Sequence, residues 1–207
     1  AFAKGYDLVV YKTVRTREFP CHPAPNIVPI VLEGDLTPEL VASRPLVRSS
    51  TFNEPLSITN SFGVPSKPVS AWQTDMAKAV RSAGKGQVLI GSFQGTKKAG
   101  GTAAEFVADY VQAARLVRET GAPILEANLS CPNEGSGNLV CFDIETVGNT
   151  ADAIKQEIGD TPLLLKLAFK GGNFFFDELI NADFFIYKVA TLISSPLVIK
   201  NLIVPPI

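Results

Sequence analysis

LEANLSCPN, residues 125–133, runs from an apolar stretch into a polar turn carrying Asn128, Ser130, Cys131 and Asn133. A thiol set among carboxamides joins side chains that both donate and accept hydrogen bonds to a sulfur that could act as a base. An ordinary thiol, with a pKa of about 8.5, is a weak base at neutral pH and needs surroundings that favour the thiolate, or a concerted transfer. Free cysteines commonly serve as small core residues. The polar setting of Cys131 argues for the base instead. Asparagine is also frequent in turns and at strand ends, so Asn133 alone would say little.

Other residues have chemical potential by position. Lys12 closes the apolar run YDLVVYK at 6–12 and Lys166 lies near the C-terminal end of the strand in PLLLKLAF at 162–169, and a lysine in such a place wants an anionic partner or a route to solvent. Asn60 precedes SFGVPS, in which Gly63 allows a positive φ and close approach of a ligand. His22 is the only histidine and sits in a Pro-rich stretch with no second ligand-type cluster, which argues against a metal. GTKKAGGTAAE, 95–105, puts glycines before a helix but lacks the spacing of a phosphate-binding loop.

Elements must bring these residues together. Five short apolar runs, 6–12, 55–60, 87–94, 123–130 and 162–169, read as strands buried on both faces. Helical patterns fill 70–84, 102–121 and 143–159, with Thr102 as an N-cap and glycine stops. Strand alternating with helix predicts a parallel sheet with crossover helices. An open doubly wound sheet and a closed (β/α) barrel both satisfy the pattern, but a barrel gathers Lys12, Asn60, Asn128 and Lys166 most simply, because all its strands end on one face. The Pro-rich segment between Pro20 and Pro55 reads as an elaborated βα excursion, and residues 173–207 read as an atypical tail that fits no further βα unit.

Composition narrows the classes. With 46% hydrophobic and 19% charged residues over 207 positions, the chain can build one packed domain, taken as 1–207. A net charge of −1, with both signs interspersed, offers no surface for nucleic acid. Lysines and a proline interrupt the apolar tail, which argues against a membrane span. Three cysteines at irregular spacing predict free thiols and a reducing, cytoplasmic location. No signal-peptide pattern opens the chain, and its first residues read as the inside of a longer domain.

The motifs together resemble the dihydroorotate dehydrogenase family. LEANLSCPN resembles its signature, ITNSFGVPS at 58–66 its substrate loop, and VVYKTVRTREFPCHPAPNI at 9–27 and LLLKLAF at 163–169 follow in the family's order. The resemblance implies an FMN-dependent (β/α)8 barrel that oxidises dihydroorotate to orotate in pyrimidine biosynthesis. In that chemistry Cys131, as in the soluble, cysteine-using branch, removes the C5 proton, and a hydride passes from C6 to flavin N5. Lys12, Asn60, Asn128 and Asn133 would hold the substrate, with the backbone amides of Phe62 and Val64 around Gly63 meeting its carboxylate. Lys12, Thr13, Asn128 and Lys166 would face FMN, a lysine stabilising negative charge near N1 and O2 of the reduced ring. A homodimer is implied in the same way.

The chain also departs from the pattern. An opening strand and the later barrel units are not visible, and residues 173–207 contain no glycine where a phosphate loop is wanted. The expectation is therefore an incomplete barrel, in a truncated or frame-shifted copy. Two other functions remain open: a flavin reductase of uracil-like rings resembling the dihydropyrimidine dehydrogenases, which share a similar Asn-Leu-Ser-Cys-Pro turn, and a partial barrel without catalytic activity.

Overall fold

The computed structural model describes residues 1–34, 37, 40, 43–52, 57–130, 140–167 and 185–188. In chain order the elements are β1 (Leu8–Val10), β2 (Ile27–Val31), β3 (Val47–Arg48), β4 (Ile58–Asn60), α1 (Val69–Arg81), β5 (Val88–Phe93), α2 (Ala103–Arg118), β6 (Ile124–Asn128), α3 (Ile144–Ile158), β7 (Leu163–Leu167) and β8 (Phe185–Lys188).

Strands β1, β5, β6, β7 and β8 form a parallel sheet in that spatial order. The order follows the chain without reversal. Alternation along each strand decides what meets the helices. Leu89 and Phe93 of β5, Leu125 of β6 and Leu165 of β7 are buried in one core. Met76 of α1, Val117 of α2 and Ile154 of α3 complete the same core, so all three helices cover one face of the sheet. In a doubly wound sheet helices cover both faces.

The helices start and end where local chemistry dictates. At α2 the Thr102 hydroxyl accepts the Glu105 N–H at 3.2 Å while the Glu105 carboxylate accepts the Thr102 N–H at 2.8 Å, a reciprocal cap. Those donors are thereby engaged, which leaves the 95–105 segment a helix start. At α3 Asp143 accepts the Thr146 N–H at 3.1 Å, and the hydrogen bonds from Thr146 hold its carboxyl below the usual carboxylate range.

Three expectations need correction. The run at 55–60 contributes β4, which belongs to a separate antiparallel sheet of order β3-β2-β4 and is only partly buried. Its Ile58 and Thr59 are β-branched and resemble a buried strand in sequence, and so short a run carries no period to separate the two cases. The Pro-rich segment, read as an elaborated βα excursion, supplies β2 and β3, with Pro29 inside β2. β1 is not covered on both faces: Leu8 and Val10 are 52% and 49% exposed. In the tail, Phe185–Lys188 pairs in parallel with β7 and so continues the sheet. Among the described residues that sheet is open, not closed on itself.

Candidate active site

The face of the sheet turned away from the helices carries a polar row at the C-terminal ends of the strands. Asn128 ends β6, and its register partner on β7 is Lys166. The Asn128 side chain is buried and oriented by its neighbours: Nδ2 donates to Gln94 Oε1 at 3.0 Å, and Oδ1 accepts from the Ser130 N–H at 3.2 Å and hydroxyl at 3.1 Å. Tyr110 of α2 donates its hydroxyl to the Asn128 carbonyl at 2.9 Å. An amide held at both ends presents a fixed donor pattern.

Two residues below Asn128, on the same side of β6, Glu126 is 1% exposed. Its Oε1 accepts the Ser92 hydroxyl at 2.6 Å and lies 3.8 Å from Lys166 Nζ. Burial pushes the Glu126 carboxyl above the usual carboxylate range, against the opposing pull of Lys166 and Ser92. Ser92 has one proton to give. With it committed to Glu126, the 2.8 Å contact between Thr13 and Ser92 has the Thr13 hydroxyl as donor. Thr13, Ser92, Glu126 and Lys166 thus form one connected row across four segments.

The substrate-loop candidate is gripped from the segment after β1. Lys12 donates to the carbonyls of Thr13, at 3.0 Å, and of Pro65. Burial and then the charge of Arg15 lower its pKa, with Cys21 acting in the opposite sense. Arg15, 1% exposed, donates Nε to the Val64 carbonyl at 3.0 Å and a terminal nitrogen to the Gly63 carbonyl at 3.2 Å. Its other terminal nitrogen reaches Thr96 Oγ1 at 2.9 Å, and its guanidinium lies 4.1 Å from the centre of the Phe19 ring. Gly63 has φ 74° and Val64 φ 51°, an unusual conformation for a β-branched residue. His22 lies over Gly63: a Cβ there would stand 2.3 Å from the imidazole Nε2. The imidazole also contacts Ser61 Oγ at 2.9 Å.

Asp109 of α2 joins the loops that follow β1 and β5, accepting from the Thr16 hydroxyl at 2.8 Å and from the Thr96 N–H at 2.7 Å.

Of the residues singled out by sequence, Thr13, Asn128 and Lys166 share the polar row, while Lys12, Gly63 and Val64 meet at the loop. Asn60 stands exposed at the end of β4, on the small sheet and not on the parallel one, and Phe62 is partly exposed. Cys131 and Asn133 lie outside the described residues. Sequence reasoning missed Glu126, Ser92, Gln94 and Arg15. A carboxylate inside an otherwise apolar strand was the available signal for Glu126, because such groups are seldom buried without a task or a partner. A groove of about 790 Å³ runs between α2 and α3 on the helical layer and is lined by residues such as Ala104, Val107 and Ala153, remote from this chemistry.

Among the described residues no group of three or more His, Cys, Asp or Glu is placed to hold a metal ion, and no helix is long and apolar enough to cross a membrane. The row does fit the polar edge of a flavin ring. Lys166 has its ammonium 3.8 Å from one carboxylate oxygen, a distance that leaves its donors for a ligand, and Asn128 adds an oriented amide.

Fold and site together define an α/β protein with a cluster of buried and half-buried polar side chains toward the C-terminal ends of parallel strands. No protein-family model matches the chain. A curated dihydroorotate dehydrogenase of Dictyostelium discoideum is 32% identical over 178 residues, which cover 81% of this chain and 46% of that protein. Over those residues the chain is similar to that dihydroorotate dehydrogenase, and it spans about half the length of this relative. Among solved structures, a 2-naphthoyl-CoA reductase in complex with 2-naphthoyl-CoA superposes with a TM-score of 0.44 at 15% identity, over 62% of this chain and 31% of its own. A likeness that weak fixes neither fold nor function.

Proposed function

We propose that this chain carries the active site of an FMN-dependent dihydroorotate dehydrogenase of the cysteine-base branch, built on a (β/α)8 barrel. The observation that carries the reading is the pairing of Asn128 with Lys166 at the ends of adjacent parallel strands, in register and on the face away from the helices. The barrel is supported by a strand order that never reverses and by helices on one face only.

Bound FMN would supply the acceptor for the hydride that leaves C6. The chain's residues do the rest. Lys166 and Thr13 meet the polar edge of the flavin, and Asn128 orients both ring systems. Asn60, Asn133 and Lys12 hold the imide and carboxylate edges of dihydroorotate, and the amides around Gly63 close on the carboxylate. Cys131 takes the C5 proton onto sulfur, three positions beyond the rigid end of β6.

The test is anaerobic. The purified chain is incubated with FMN, freed of excess flavin and mixed with dihydroorotate, with Cys131→Ala and dihydrouracil in parallel. Bleaching of the flavin absorbance by dihydroorotate alone, abolished or slowed by orders of magnitude in Cys131→Ala with flavin retention unchanged, is the expected result. Bleaching by dihydrouracil instead would move the chain to the dihydropyrimidine chemistry, and absence of retained flavin would sink the proposal.

A further inference from the structure

Glu126 has no part in the chemistry just described, yet its position is demanding. It is almost wholly buried, and its Oε2 has no hydrogen-bond partner among the described residues. A leucine would fill such a site without desolvating a carboxyl group, so the acid there points to a polar task. Its one engaged oxygen joins three elements: Ser92 on β5 at 2.6 Å, Lys166 on β7 at 3.8 Å and, through the Ser92 hydroxyl, Thr13 after β1.

We propose that Glu126 is a positioning residue of the flavin site, tying Lys166 to the Ser92–Thr13 hydroxyl pair so that the cation and the hydroxyl face the flavin as one unit. The inference rests on the flavin reading above. The distances suit the task. The serine bond is short and anchors the carboxyl group, while the lysine is close enough to be oriented but too far to be consumed by a direct hydrogen bond. A hydrogen-bonded ion pair would hold the ammonium against Glu126 and away from a ligand.

The experiment compares FMN binding, followed by quenching of flavin fluorescence, in the wild type, Glu126→Gln, Glu126→Leu, Lys166→Leu and the Glu126→Leu/Lys166→Leu double variant. Glu126→Leu is expected to weaken FMN binding by about tenfold or more, the size of effect typical when the outer partner of a liganding group is removed. Glu126→Gln, which still accepts from Ser92, stays close to the wild type. The double variant binds no more weakly than Lys166→Leu, because Glu126 acts through the lysine. Wild-type affinity in Glu126→Leu, or losses that multiply in the double variant, would overturn the proposal. If the wild type itself binds no FMN, the flavin reading falls, and urea unfolding of the wild type, both leucine variants and their double variant decides the tie by itself: non-additive destabilisation sustains it, and additive destabilisation ends it.

Discussion

Gly63 shows how closely one residue is constrained at this site. Its φ of 74° suits glycine, and the His22 imidazole fills the space a Cβ would need. Gly63→Ala is expected to cost about 1 kcal/mol in urea unfolding through the positive φ alone. On the proposed function it also raises KM for dihydroorotate while FMN affinity stays unchanged, since the loop and not the polar row moves. His22→Ala in the same chain removes the clash and should recover part of the KM, a result that initial-rate kinetics on the pair would read. Glu126 sets a pH dependence of definite sign. Its carboxyl titrates higher in the folded protein than in the unfolded chain because burial disfavours the charge. The folded state therefore binds the proton more tightly. The stability tied to this group is fully present below the ordinary carboxylate range and is lost as pH rises through the folded value. Urea midpoints measured from acid to neutral pH should fall more steeply with pH in the wild type than in Glu126→Gln. Lys12, Asn128 and Lys166 stood out in the sequence as polar groups at or near the ends of apolar runs. Arg15 was not: its role lies in carbonyls of residues 63 and 64, whose nearness only folding creates.

Among elements, the contact between β5 and α2 controls how firmly Asn128 is held. Gly95 follows β5, and a Cβ there would stand 2.4 Å from the Tyr110 ring, which is buried and packs edge-on against Phe106 with ring centres 5.2 Å apart. Gly95→Ala must push that ring aside, which should cost about 1–3 kcal/mol in urea unfolding. Because Tyr110 bonds the Asn128 carbonyl, the same substitution should also weaken FMN binding, whereas an alanine variant of a surface residue of α2 should do neither. The helices were readable to within a few residues, since caps and the 3.6-residue period are local properties. β4 was assigned to the wrong sheet because its partner, β2, lay hidden in a Pro-rich segment. Pairing depends on which chain segment arrives alongside, and a three-residue strand does not encode that.

At the scale of the molecule, the core among the described residues lies between the parallel sheet and α1, α2 and α3. Leu165, fully buried at the centre of β7, tests it: Leu165→Ala should cost about 2–5 kcal/mol, a large share of the roughly 5–15 kcal/mol typical of a native protein. A matching loss of FMN retention would show that the polar row depends on that core, because Lys166 is the next residue on the same strand. The amino-acid sequence by itself determined the alternation of strand and helix, the helix boundaries, the polar residues at strand ends and the likeness to dihydroorotate dehydrogenases, all of which depend on local spacing and composition. Only the tertiary structure decided that 58–60 belongs to a second sheet, that 185–188 extends the first, and that Glu126, Ser92 and Thr13 join Lys166. Those facts depend on register between strands distant in the chain, and register is set when side chains from several elements pack at once.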